Sequence, residues 1–479
     1  MKMFVALIIL VFTGGGLLLF VRQLERTPLI AATLALISSI FASMLFAAST
    51  TSSGVLMGMI RLGPLSGFVS AAIALVGALT IIGIMARPEK YRAGICEVYA
   101  FVVYVVLGSV LLVSSNNLLL LYIGIELASY SSYVLVAYYR NQRLSIEAAS
   151  KYFVLGAVAS ALLLYGISLV FASGGSIYYD SLALSYASGV PMLAYPALAL
   201  ILIGFAFKLA LVPFHAWTPD AYLGAPTMVA ALISVGPKVA IVTALAVLLQ
   251  QVFAAPELQA IWQPTLLVLA ILTMTIGNLQ ALNQQNLKRL LGFSSVAQLG
   301  TIAVGLVAAS GQGFIAIIVY GIAYIFSNMG AFSSIAALKD AGVPATIQSY
   351  QGLGKRHPLM AGLFTVFLLS LAGLPLLAGF IGKLFVFKSA IDSSLYILAG
   401  IAIANTVLSY FYYFRVIIAM WLYEETAKTP RLNVNPIAFS GLVVCAIAVF
   451  IIGILPGAAY NMANDAVSHF NSLVILTGH

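Results

Sequence analysis

Four ionisable residues fall inside long apolar runs of this 479-residue chain: Glu126, Lys208, Lys238 and Lys383. A fifth titratable group, His215, sits in a stretch crowded with prolines. In hydrocarbon, a charged side chain near mid-depth costs about 2.5–3.5 kcal/mol on insertion scales. One such residue can snorkel or sit in a structural pair. Four of them, three being lysines, need a use. The chemistry they suit is proton transfer, because desolvation makes an amine give up its proton more readily than it does in water. A carboxylate such as Glu126 held beside Lys208 would keep the lysine charged, and drawn away it would let the proton go. For His215 two readings stand side by side. It could relay protons, since imidazole titrates near neutrality, or it could hydrogen-bond to backbone groups freed by a helix break around Pro213.

The densest stretch is 204–238, reading GFAFKLALVPFHAWTPDAYLGAPTMVAALISVGPK, which carries Lys208, His215, Asp220 and Lys238. Pro213, Pro219, Pro226 and Pro237 interrupt it. Each proline removes a backbone donor and tends to break or kink a helix. Charges beside broken helices are how membrane proteins build ion paths.

The elements that position these groups follow from composition. The chain is 62% hydrophobic and 7% charged, with a mean hydropathy of +1.10. Soluble domains carry about 25% charged residues, so this is a polytopic membrane protein. The apolar runs are continuous and near helical-span length, which excludes a β-barrel of short alternating strands. The net charge of +9 is spread over short loops, as membrane topology demands, and does not read as a nucleic-acid surface. Cys96 and Cys445 are lone buried thiols. The sequence has no P-loop, no GxGxxG after a strand and no CxxC cluster, and its four histidines have no metal-ligand spacing. The chain is therefore expected to carry no metal, nucleotide or redox cofactor of its own.

The expected fold is all-α, with fourteen spans near 3–21, 28–48, 64–86, 97–115, 117–139, 146–172, 194–214, 225–250, 264–284, 287–309, 313–338, 358–391, 396–422 and 435–456. The twelfth is too long for one straight crossing, and Pro375 predicts a break in it like that in the seventh. Basic residues sort by loop parity. Arg22, Arg26, Arg87, Lys90, Arg92, Arg140, Arg143, Lys151, Lys288, Arg289, Lys339, Lys355, Arg356, Lys428 and Arg431 belong to odd loops, against Arg61 in the even ones. The odd loops are thus expected on the cytoplasmic side, leaving both termini on the other. Spans 4–8 and 9–13 each place a broken helix fourth. Five is an odd number, so the second group is expected to lie inverted relative to the first, as in transporters. The resulting units are 1–96, 97–253, 264–422 and 435–479. Arg415 and Lys388, near span ends, are expected to snorkel. Glu97 and Glu147, at the starts of spans 4 and 6, are expected to cap or pair at the surface. The tyrosines within 133–139 and 410–413 are expected to be interfacial aromatics.

These residues carry a resemblance. The segments LLLLYIGIELASYSSYVLVAYYR, LSIEAASKYFVLGAVASALLLYG, GFAFKLALVPFHAWTPDAYLGAP, GNLQALNQQNLKRLLGFSSVAQLG and AGLPLLAGFIGKLFVF resemble the N-type antiporter-like membrane subunit of proton-pumping NADH:quinone oxidoreductase, the respiratory complex I family. The likeness spans about 97–415. It implies fourteen helices in two inverted repeats, with Glu126 and Lys208 as a coupling pair and Lys238 and Lys383 continuing a polar axis. Lysine at 383, where the related M type usually has glutamate, favours the N type. The chain also stops soon after span 14, without the long lateral helix of the L type. The resemblance further implies partner membrane subunits of M, L and small K type, and a peripheral redox arm holding FMN and iron–sulfur clusters and serving a quinone. It places the complex in a plasma or organellar inner membrane, or in a thylakoid. A subunit of a multisubunit cation/proton antiporter is the alternative, and a membrane scaffold without transport is a third reading.

Overall fold

With no water in a bilayer core, backbone groups must pair within the segment, so the apolar runs become helices. The computed structural model describes residues 2–25, 27–49, 54–56, 58–86, 94–424 and 434–477, with side chains of the last helix to 468. Arg26, Arg87, Lys90, Arg92, Lys428 and Arg431 of the predicted basic loops lie outside the described residues.

Among the described residues, twelve helices are long and apolar enough to cross a membrane whole. They are Lys2–Leu19, Pro28–Ala47, Pro64–Met85, Ile95–Val113, Leu118–Val136, Arg143–Gly174, Thr227–Gln251, Pro256–Leu282, Leu287–Val307, Gly311–Asp340, Tyr396–Trp421 and Pro436–Ile454. The remaining two crossings are each made of two half-helices. Span 7 consists of Ala194–Lys208 and Trp217–Gly224, here 7a and 7b. Span 12 consists of Pro358–Ala372 and Ala378–Asp392, here 12a and 12b. The architecture is therefore fourteen crossings with breaks in the seventh and twelfth. The predicted end of span 7 at 214 is corrected: the crossing continues through 7b to Gly224. The TPDAY stretch looks like a loop because it is short and polar, but it is packed between neighbouring spans.

Both breaks use one backbone device. In 7a, Ala210 N bonds Phe207 O at 2.9 Å and Leu211 N bonds Ala206 O at 2.8 Å. In 12a, Gly373 N bonds Ser370 O at 3.0 Å and Leu374 N bonds Leu369 O at 3.1 Å. This is the Schellman pattern, which needs a left-handed residue just past the helix end. Ala210 (φ 57°) and Gly373 (φ 91°) supply it. Other freed groups find side chains: Val212 N donates to Thr273 Oγ1 at 2.9 Å, and Trp217 Nε1 donates to Phe207 O at 3.2 Å. The two halves of span 12 touch so closely that only glycine fits at 379. A Cβ there would lie 1.8 Å from Ser370 O.

Burial orders the bundle. In the most apolar windows of spans 8, 10 and 11, 94%, 100% and 89% of residues are buried, against 33–44% for spans 1, 2, 6, 9, 13 and 14. Spans 8, 10 and 11 therefore form an almost wholly buried axis, and an axis of that kind can carry polar side chains. The helix pairs that open each five-helix group cross on small residues. A Cβ on Gly108 would sit 2.5 Å from Ala128 N, and one on Gly300 would sit 2.6 Å from Met274 N. On the face opposite the basic loops, Gly54–Leu56 and Ile60–Leu62 pair as an antiparallel hairpin. The helix Pro456–Thr477 follows span 14.

Candidate functional site

Span 7a ends at Lys208, which the break leaves 5% exposed among side chains of spans 5 and 6. Its Nζ lies 3.4 Å from Glu126 Oε1, 2.9 Å from Ser129 Oγ, 3.0 Å from Ser160 Oγ and 3.5 Å from Tyr133 OH. Ser160 donates to the same Glu126 oxygen at 2.5 Å. Three helices thus converge on one buried ion pair. A cation at the C-terminal end of 7a also faces the negative end of that helix dipole.

Lys238 lies in span 8 directly after Pro237 and is 1% exposed. The helix runs unbroken through Pro237, which has no N–H to give to Ile233 O. Lys238 Nζ donates to Ser295 Oγ at 3.1 Å and lies 5.3 Å from the Tyr222 ring and 5.7 Å from the Trp217 ring. Aromatic faces attract a desolvated cation. No carboxylate forms a salt bridge with Lys238 among the described residues. Lys208 and Lys238 both line a cavity of about 20 Å³, together with Ser129, Ser132, Tyr152 and Trp217. That space admits about one water molecule with several polar partners.

From Ser295 the polar groups continue along spans 10 and 11. Ser295 Oγ shares a hydrogen bond with Tyr324 OH at 2.7 Å, and Asn328 Nδ2 donates to Tyr324 OH and to Ser234 Oγ at 3.2 and 2.8 Å. One turn along span 10, Gln298 Nε2 donates to Tyr413 OH at 3.1 Å and to Leu371 O at 2.7 Å, and its Oε1 accepts from Tyr320 OH. Ser294 and Tyr413 share a further hydrogen bond. Lys383, 4% exposed in 12b, reaches the same carbonyl of Leu371 at 3.0 Å and that of Ala372 at 2.8 Å. Glu126, Lys208, Lys238 and Lys383 are thus brought into one buried polar line.

His215 stands apart from it. Its Nε2 shares a hydrogen bond with Gln280 of span 9 at 3.0 Å, and its Nδ1 is buried without a partner among the described residues. No hydrogen bond joins it to a lysine of the line among the described residues.

Three other expectations change. Tyr133, Tyr412 and Tyr413 are 6%, 1% and 0% exposed, so they are members of the buried network and not interfacial aromatics. Arg415 does not snorkel: it donates to Leu282 O at 2.6 Å and Gln284 O at 2.5 Å, capping the end of span 9. Lys288 is not a loop charge, being 2% exposed in the first turn of span 10. Glu147 does pair at the surface, with Lys151 at 2.8 Å. Gln298, Tyr320, Tyr324 and Asn328 belong to the site without a motif to mark them. The signal that could have found them is a cluster of neutral polar residues on spans 10 and 11, both almost wholly buried.

On the hairpin side, Arg61 ties four segments together. It donates to Gln251 Oε1 at 2.8 Å and Asn116 Oδ1 at 2.5 Å, and lies 3.5 Å from Asp180 Oδ1. Burial lowers its pKa from the ordinary guanidinium value, and the nearby Asp180 charge opposes that shift.

The family model described as NADH:quinone oxidoreductase/Mrp antiporter, transmembrane, matches residues 115–409. The chain belongs to this family. It is 40% identical over 366 residues to the NADH-quinone oxidoreductase subunit N of Rhodospirillum rubrum, covering 76% of this chain and 75% of that protein. It is 39% identical over 424 residues to the subunit N of Moorella thermoacetica, covering 87% and 88%. A chain of Thermus thermophilus respiratory complex I superposes with a TM-score of 0.81 at 29% identity, covering 96% of this chain and 99% of that one. A chain of the Mrp complex of Dietzia shares the fold alone, with a TM-score of 0.85 at 20% identity. The family match contains Glu126, Lys208, Lys238 and Lys383.

Proposed function

We propose that this chain is the N-type proton-translocating subunit of a proton-pumping quinone oxidoreductase of the complex I family, with NADH as the electron donor. The observation that carries this reading is the Lys208–Glu126 pair, buried at the end of half-helix 7a, with a cavity large enough for about one water between it and Lys238. In its paired state Lys208 holds a proton against Glu126. Parting the pair leaves an uncompensated ammonium in a low-dielectric site, which favours handing its proton towards Lys238. Ser295, Tyr324, Gln298 and Tyr413 then offer hydroxyls and an amide between Lys238 and Lys383. His215 has the holding role in this scheme, fastening the break to Gln280.

The chain itself contributes no redox step. FMN, iron–sulfur clusters and quinone belong to partner subunits: the peripheral arm and the membrane subunits of M, L and K type. Two five-helix units, 97–253 and 264–422, follow spans 1–3, and a terminal unit closes the chain at 435–479. The bias of basic residues supports a plasma or inner membrane orientation with both termini on the non-cytoplasmic side.

The test is proton translocation by the intact complex in liposomes. Lys208→Ala and Glu126→Gln should each sharply lower the protons moved per electron while the complex stays assembled, and unchanged translocation would overturn the reading. Co-purifying flavin and iron–sulfur subunits are expected with the wild-type chain. Their absence, with other antiporter subunits in their place, would favour the cation/proton antiporter.

A further inference from the structure

Half-helix 7b has eight residues, too few to be stable on its own hydrogen bonds, so its place is set from outside. Lys288 does this at one end. Its Nζ donates to Leu223 O at 2.9 Å and to Ala225 O at 2.6 Å, carbonyls at the C-terminal end of 7b that have no partner inside the helix. Its position is otherwise unfavourable. A lysine in the first turn of span 10 faces the positive end of that helix dipole, and burial adds to the cost. The negative end of 7b is what offsets both. A lysine needed only for topology would sit in water.

Ion pairs grip the same half-helix from two sides. Asp220 accepts from Lys151 of span 6 at 3.0 Å and lies 3.4 Å from Arg289 of span 10. The backbones are close there too: a Cβ on Gly224 would come within 2.5 Å of Ala148 Cβ, and one on Gly292 within 3.0 Å of Pro219 Cα. At its other end 7b begins with Trp217. That ring stacks on Tyr152 at 4.2 Å, lies 5.7 Å from Lys238 Nζ and walls the cavity between Lys208 and Lys238. One short rigid element therefore joins the Lys288 clamp to the gap between the two central lysines.

We infer that Lys288 is a positioning residue for proton transfer between Lys208 and Lys238. It ties 7b to span 10, assisted by the bridges of Asp220 to Lys151 and Arg289, and so fixes Trp217 beside the cavity. The inference rests on reading Lys208 and Lys238 as stations of proton translocation, and its test separates the two.

The intact complex is reconstituted in liposomes with Lys288→Met, Lys288→Arg, Asp220→Asn or Lys208→Ala. Electron flow from NADH to a water-soluble acceptor reports the peripheral arm, and protons moved per electron to quinone report coupling. Lys288→Met should lower the proton-to-electron ratio severalfold with flow to the soluble acceptor unchanged. Lys288→Arg, whose guanidinium can donate to the same carbonyls, should restore most of the ratio. A wild-type ratio in Lys288→Met, with the ratio lost in Lys208→Ala, overturns the role of Lys288 alone. A wild-type ratio in Lys208→Ala overturns the reading beneath it. If Lys288→Arg assembles but the ratio does not recover, the lysine is merely structural and the inference fails. Should Lys288→Met not assemble, Asp220→Asn decides: a lowered ratio supports the clamp and an unchanged one overturns it.

Discussion

The two broken spans end their first halves with the same Schellman turn and then hold their lysines in opposite ways. At the span 7 break, Lys208 is the last residue of the half-helix, and its counter-charge, Glu126, comes from another helix. At the span 12 break, Lys383 lies in the second half and reaches back to Leu371 O and Ala372 O of the first. One lysine depends on a carboxylate carried by a different helix. The other is anchored on the negative end of half-helix 12a within its own span. A switch needs two states of differing interaction energy, and only the first site has a separable partner to supply them. Lys383 is thereby suited to be a fixed station, and Lys208 to be the gate.

The sharpest way to break that comparison is a pair of double-mutant cycles. Lys208→Met leaves Glu126 buried with Ser160 as a partner and no cation, a loss of about 3–5 kcal/mol. Adding Glu126→Gln removes the stranded charge, so the double variant should be markedly more stable than the two single losses summed. The readout is the temperature at which the subunit dissociates from the detergent-solubilised complex. Lys383→Met, by contrast, strands Ala372 O, while Leu371 O keeps its bond from Gln298. Its cost should be about 1–3 kcal/mol. Combined with Glu126→Gln it should add without coupling, to within about 0.5 kcal/mol. Strong coupling of Lys383 to Glu126 would erase the distinction between gate and station.

Much of this was legible in the sequence for one physical reason. An ionisable residue in a run of leucine and valine has no cheap explanation, so Glu126, Lys208, Lys238 and Lys383 stood out. Pro213 and Pro375 marked the breaks because proline cannot donate to a helix ladder. What stayed hidden were residues whose type is ordinary on either side of the interface. Lys288 counts as one more basic loop residue until its 2% exposure is seen. Tyr412 and Tyr413 read as a membrane belt, and Gln298 and Asn328 as incidental. Polar neutral residues cost too little to announce themselves, and which helix face they occupy depends on packing across spans that lie far apart in sequence. Half-helix 7b was missed because eight residues give too short a pattern to separate from a loop.

The smallest effects distinguish the turns themselves. Gly373 takes its left-handed backbone (φ 91°) without strain, and a Cβ there would come within 2.9 Å of Lys383 Cδ. Gly373→Ala should therefore cost about 1–2 kcal/mol in backbone strain and also displace the lysine from its carbonyls. Pumping should fall with stability. Ala210 does the same job at φ 57° with a side chain, so the span 7 turn carries the strain that glycine spares span 12. Ala210→Gly relieves about 1–2 kcal/mol of that strain but adds about 0.4–1 kcal/mol of unfolded-chain entropy and gives up a buried methyl worth about 0.8 kcal/mol, leaving a gain of about 0.8 kcal/mol at most. The dissociation temperature should rise slightly. If the protons moved per electron fall while stability rises, the alanine is kept to aim Lys208 at Glu126, and the strain serves the gate. If both stay level, the difference between the two turns ends at the backbone, and the gate depends on the ion pair alone.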